Sequence, residues 1–195
     1  MKQAITMLGM LATLLAAAPS WAIPTNVALN KPAIQSPIGS GFDQPAGNAV
    51  DGNTNGVYPA TTHSAFGLEP FWRVDLQDTF AINTIEVWNR TDCCVTRLTG
   101  FRVSVLDSLL SEVWGQTQSA APTPNSLFTP PANTLGNFVE VKIVGRSEWL
   151  HLAEVIVMGE KQVVIPGGQV PEPTSLLLLG SGFVGFAVWR RRRSE

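Results

Sequence analysis

The chain has 195 residues, with 13 lysines and arginines against 15 aspartates and glutamates, a length that suits one domain with tails. Charged residues make up only 14% of it, too few for a disordered solvating segment, and the net charge of -2 offers no basic footprint for nucleic acid. Two cysteines exclude a disulfide-dense miniprotein and a four-cysteine zinc site.

Residues 1–22 read as a secretory signal peptide. Lys2 supplies the positive start, residues 5–17 are apolar, and Ser20 and Ala22 place small residues before a cleavage site after Ala22. Export puts the remainder in a compartment where disulfides persist.

Residues 23–160 predict an all-β domain. Short alternating runs recur: Trp72, Val74 and Leu76; Ile85 and Val87; Val103 and Val105; Val139, Val141 and Ile143; Val155 and Val157. Gly, Pro, Asn and Asp punctuate them, and no helical pattern falls between strands. The expectation is an antiparallel β-sandwich or jelly roll. Residues 120–134, with four prolines, read as a long loop or strand-poor crossing.

Within this domain, Asp51-Gly52-Asn53 suits an Asx turn and is equally a loop of oxygen ligands. His63 follows, and the densest polar cluster is Asn89-Arg90-Thr91-Asp92-Cys93-Cys94-Val95-Thr96-Arg97. Adjacent cysteines either bond as an eight-membered ring, which closes no useful loop and presents a compact apolar plate, or stay as thiols. Arg90, Arg97 and His63 offer directed donors and one acceptor with no base–nucleophile pair, a set that suits neighbouring sugar hydroxyls. Asp92 is placed to orient Arg90 or Arg97. The carboxylates Asp75, Glu86 and Glu112 form no convergent pair of the kind glycoside cleavage needs, and no HExxH or GxSxG occurs, so no enzymatic activity is expected. His151, in Trp149-Leu150-His151-Leu152, lies in an apolar context and reads as structural.

Residues 161–170, with Pro166, Gly167 and Gly168, read as a linker. Residues 171–195 open on Pro171-Glu172-Pro173, continue through an apolar run at 175–189 that predicts a short transmembrane segment, and end on Arg190 to Arg193. The combination resembles the PEP-CTERM sorting signal of bacterial exported proteins. That resemblance implies an exosortase as partner, cleavage near the Pro-Glu-Pro triplet, transient membrane anchoring, and placement at the cell surface or outside the cell. Without the two ends, 8 basic side chains face 13 acidic ones.

The spacing of the polar cluster carries a second resemblance. His63, 26 residues, Arg90-x-Asp92, four residues and Arg97 is similar to the sugar-binding pattern of F-type (fucolectin-like) lectins. Asn26-Val27-Ala28-Leu29, Ala49-Val50-Asp51-Gly52-Asn53, Trp72-Arg73-Val74-Asp75-Leu76 and the string from Asn89 to Leu98 extend it over about 25–159. The resemblance implies a jelly-roll lectin in which His63, Arg90 and Arg97 hydrogen-bond α-L-fucose on glycans or exopolysaccharide. A Cys93–Cys94 bridge would pack on one sugar edge, with Asp92 beside it, and Tyr58, Ile38 and Phe42 are candidates for a pocket around the sugar methyl. It also implies structural Ca²⁺, held by Asn48, Asp51, Asn53 and Glu154 with carbonyls such as that of Ala153, and with Thr61. Weak single sites would make a homo-oligomer useful for avidity. The loop at 57–62 is shorter than the family's, and cysteines for the family's further disulfides are lacking. An adhesion or matrix module with altered sugar specificity is the alternative function, ahead of an accessory module of glycan processing.

Overall fold

The alternating run at Trp72, Val74 and Leu76 forms a strand that continues far beyond what its pattern shows. In the computed structural model, which describes residues 23–39, 41 and 43–162, the strands are β1 (Thr25–Asn26), β2 (Ala33–Ser36), β3 (Gly67–Leu68), β4 (Phe71–Trp88), β5 (Phe101–Leu106), β6 (Glu112–Gln118), β7 (Asn125–Phe128), β8 (Leu135–Ile143), β9 (Ser147–Glu148) and β10 (Glu154–Lys161). Helical structure among these residues is limited to 3-10 turns at Ala46–Ala49 and Val95–Leu98. The expected signal peptide, Phe42, the linker from residue 163 onward and the sorting segment with its short span lie outside the described residues. No helix among the described residues is long and apolar enough to cross a membrane.

β4 organises the sandwich because its two halves pair with different partners. Its first half pairs antiparallel with β2 and β8, Val74 opposite Ala33 and Val139. Its second half pairs with β7, Ile85 opposite Phe128. Between them the register against β8 slips: Asp75 faces Phe138 while Phe80 faces Gly136, and Gln77 adopts φ 65°. The extra residues bend the strand, as bulges do. Beyond β8 lie β5 and then β6, and β10 and then β1 flank the other side of β4.

The inward positions of these strands make one core. Trp72, Val74, Leu76, Ile85, Val87, Phe101, Val103, Val139, Val141 and Val157 are buried in it. Trp72 is fully buried, and its indole N–H donates to the Ala46 carbonyl at 2.8 Å, which removes the cost of burying that polar group. Phe101 of β5 meets Phe128 of β7 edge-on at 5.9 Å, tying the two halves of the sandwich together.

Two sequence expectations need correction. Residues 120–134 are not a strand-poor crossing throughout, since β7 lies inside them. Only Phe128 of that strand is buried, so no alternation marks it and tertiary pairing supplies its order. The runs around Trp72 and Ile85 belong to one strand of 18 residues rather than two. The parity of buried positions changes between Ile82 and Ile85, which is why the pattern breaks in sequence.

Candidate functional site

Three segments meet beside the sandwich: 56–64, 89–98 and 146–153. The Ala153 amide donates to the Trp88 carbonyl at the end of β4, and the Asn89 amide donates to Pro124. Asn89, almost fully buried, gives its side-chain amide to the carbonyls of Val95 and Pro122, which shapes the loop between β4 and β5 from inside. Gly56 lets its segment lie flat on that loop. The Thr91 amide donates to the Gly56 carbonyl at 2.8 Å, and a Cβ at Gly56 would approach the Asn89 carbonyl oxygen to 2.8 Å.

His63 is held by a buried stretch. The Thr62 amide donates to Leu152 at 2.7 Å and the Ser64 amide to Leu150 at 3.0 Å. The hydroxyls of Thr62 and Ser64 accept from the Leu152 and Leu150 amides in return. His63 Nδ1 lies 2.8 Å from the Ser64 carbonyl, which accepts only from a protonated nitrogen, so Nδ1 carries the proton and Nε2 keeps a lone pair. Burial lowers the His63 pKa, and Arg90 and Arg97 lower it further against the Ser64 bond.

Arg90 and Asp92 form a two-pronged pair, Nε to Oδ1 at 2.6 Å and Nη2 to Oδ2 at 3.1 Å. The hydrogen bond from Arg90 is the main reason the Asp92 carboxyl titrates at about 2, and the Tyr58 amide adds a donor at 3.3 Å. Asp92 therefore orients Arg90, not Arg97. The Arg90 guanidinium also sits 5.1 Å from the centre of the Tyr58 ring, and that ring meets His63 edge-on at 6.5 Å. Tyr58 is thus at the site, whereas Ile38 is 73% exposed.

Arg97 stands in the second 3-10 turn, and the bonded Cys93–Cys94 pair starts that turn. Cys94 has φ 59°, and its carbonyl accepts from the Arg97 amide at 2.9 Å. The Arg97 guanidinium lies 4.4 Å from the Trp149 ring centre, Nε is 3.6 Å from a Glu148 oxygen, and Nη1 is 3.4 Å from His151 Nε2. Arg146 fixes the same loop, donating to the carbonyls of Arg97 and Thr99 and pairing with Glu148 at 2.8 Å.

His151 is more than the structural residue its apolar neighbours imply. It is 2% exposed, its ring packs tilted against His63 at 4.3 Å, and burial lowers its pKa to about 3, with help from His63 and the two arginines. A neutral His151 therefore backs two of the three expected sugar-binding side chains. Sequence reasoning also missed Trp149, Glu148 and Arg146.

The expected calcium residues form a second cluster. Asn53 donates its amide to Asp51 Oδ1 at 2.8 Å and Asn55 donates to Asn53 Oδ1 at 3.0 Å, so the Asx-turn reading of this loop holds. Asn48 donates to the carbonyls of Pro59 and Thr61. Glu154 is fully buried. Gly52 donates to its Oε1 at 3.2 Å, its Oε2 has no hydrogen-bond partner among the described residues, and burial raises its pKa to about 7. Thr61 Oγ1 is likewise buried and unpartnered. No three His, Cys, Asp or Glu side chains converge on a metal position among the described residues, so a cation here would rest largely on amide and carbonyl oxygens. Ala153 is buried next to Glu154.

The three carboxylates considered for catalysis are committed elsewhere. Glu112 pairs with Arg102, Glu86 accepts from the Trp88 indole, and Asp75 accepts from the Gln77 amide.

Fold and site together define an antiparallel sandwich of the galactose-binding type, with a loop-borne cluster of guanidinium and imidazole groups at its edge. Residues 48–140 match the family model of the NedA-like, galactose-binding domain, and residues 169–193 match that of the PEP-CTERM protein-sorting motif. Fucolectin of Anguilla anguilla is 35% identical over 123 residues, which span 60% of this chain and 77% of that protein. The fucose binding module SpX-3 of Streptococcus pneumoniae superposes with a TM-score of 0.65 at 30% identity, covering 70% of this chain and 99% of that one. A fucolectin from the serum of the striped bass, Morone saxatilis, superposes with a TM-score of 0.66 at 31% identity, covering 75% of this chain and 51% of that one. The chain belongs to the fucolectin family.

Proposed function

We propose that the exported domain is a lectin for terminal L-fucose on glycans at the bacterial surface or in its exopolysaccharide matrix. The observation that carries this reading is the donor–acceptor set of the cluster. His63 Nε2 is a bare acceptor, while Arg90 and Arg97 bring forked donors from the same loop. Arg90 keeps its direction because Asp92 occupies one edge of its fork. The Cys93–Cys94 bridge lies in the same loop, between Arg90 and Arg97, where it offers a compact apolar edge. The fucose-binding relatives support the choice of sugar. The sorting motif supports exosortase as processing partner and surface placement, and several copies would supply avidity. We include structural Ca²⁺ in the proposal. The unpartnered Glu154 oxygen fits a hard cation, and Asn48, Asp51, Asn53, Thr61 and the Ala153 carbonyl would complete its oxygen shell.

Calorimetric titration of the exported protein with L-fucose, against D-galactose and D-glucose, tests the reading. Saturable binding of fucose in preference to the other two is expected. Absence of binding to any of the three, with calcium supplied and the fold confirmed, would overturn it in favour of an adhesion module with other specificity.

A pH profile tests the imidazole's role. Nε2 accepts only while unprotonated, and the His63 pKa lies below its ordinary 6.5. Fucose affinity should therefore stay flat above pH 6.5 and fall only as acidification proceeds below it. Asp92, ionised down to about 2, keeps Arg90 aligned throughout that range. An affinity that rose on acidification would contradict the assigned tautomer.

A further inference from the structure

The strip that carries His63 continues outward to a ring pair of which Trp149 touches the cluster described above, through Arg97. Residues 61–68 and 147–153 run antiparallel, from Thr62 bonded to Leu152 and Ser64 to Leu150, to Gly67 opposite Glu148 in the β3–β9 pair, with the register slipped by one residue in between. Rings project from this strip in cross-strand pairs. His63 packs against His151 at 4.3 Å with planes 39° apart, and Phe66 packs against Trp149 at 4.6 Å with planes 54° apart. The first pair is buried, at 8% and 2% exposed; the second opens to solvent, with Phe66 54% exposed. Phe66 takes no part in the core cluster. One guanidinium joins the two pairs, since Arg97 covers Trp149 and reaches His151.

An exposed phenyl ring held rigid by a tryptophan, at the rim of a sugar-type site, suits the apolar C–H face of a pyranose. Such a ring is a pre-ordered platform that loses little entropy on binding, and the contact returns exposed aromatic area to an apolar environment. We propose that Phe66 and Trp149 form a second subsite, which takes the hexopyranose to which the terminal sugar is glycosidically joined. The proposal rests on the fucose reading and adds to it a preference for the second residue of the glycan. Trp149 serves both subsites through Arg97, while Phe66 serves only the outer one.

The test titrates the protein with L-fucose, with a fucosyl-α1,2-galactoside and with a fucosyl-α1,3-N-acetylglucosaminide, in the wild type and in Phe66→Ala and Phe66→Tyr variants. At least one disaccharide should bind the wild type about 3- to 10-fold more tightly than fucose does, the usual worth of an aromatic contact. Phe66→Ala should erase that gain with free-fucose affinity unchanged, and Phe66→Tyr should keep it. Wild type that binds fucose but gains nothing from either disaccharide overturns the subsite, as does a gain that survives Phe66→Ala. Wild type that fails to bind fucose at all overturns the parent reading instead, and the subsite with it.

Discussion

Replacing Arg97 by alanine is expected to lower L-fucose affinity by about 30- to 1000-fold, the loss of roughly 2–4 kcal/mol from charge-assisted hydrogen bonds in a partly desolvated site. The fold should survive. The Arg97 carbonyl still accepts from Arg146, and the side-chain contact with Glu148 lies at a partly exposed rim where ion pairs contribute under about 1 kcal/mol. A small stability loss is expected because His151 Nε2 is left buried without its neighbour. Arg97→Lys should recover little binding. A lysine keeps the charge but cannot offer a planar fork or lie flat on Trp149. Adding Arg90→Ala should bring binding below detection. Fucose binding by the double variant, with a cooperative melting transition retained, would show that the sugar sits elsewhere.

The parts of this site that were legible in sequence are those whose chemistry is unusual in itself. Arg90, Asp92, Cys93, Cys94 and Arg97 crowd into one short segment, and their composition announces a function before any fold is known. The strands around Trp72 and Val139 were legible because one face is buried and one is not, and that contrast is written as alternation. β7 was not legible: with one buried residue in four, its order comes from pairing with β4. His151, Trp149 and Glu148 were hidden for a different reason. They reach the site only because Ser64 pairs with Leu150 and Thr62 with Leu152, contacts between residues 86 and 90 positions apart. Nothing local in Trp149-Leu150-His151 distinguishes a ring that backs a binding site from one that fills a core.

Chelation supplies the second large effect. Removing divalent cations with excess EDTA is expected to lower the melting temperature by about 5–15 °C, since a cation that binds only the folded loop adds roughly 3–4 kcal/mol when present far above its dissociation constant. The physical source is Glu154. Its carboxylate is fully buried with one oxygen unpaired, and burying an uncompensated charge costs several kcal/mol unless a counter-charge repays it. Glu154→Gln separates this account from a nonspecific effect of the chelator. The glutamine keeps the side-chain volume and an oxygen to accept from Gly52, but it carries no charge. The variant should melt at the same temperature with and without EDTA. In EDTA it should also melt above the wild type, because it no longer buries a lone carboxylate. Differential scanning calorimetry at pH 8, with calcium added back in excess, reads all these values. A wild-type curve that EDTA leaves unmoved would remove the metal from the proposal. The buried Glu154 would then be a carboxyl whose pKa burial raises to about 7 without a cation, and the Asp51–Asn53 loop would be held by its Asx turns alone.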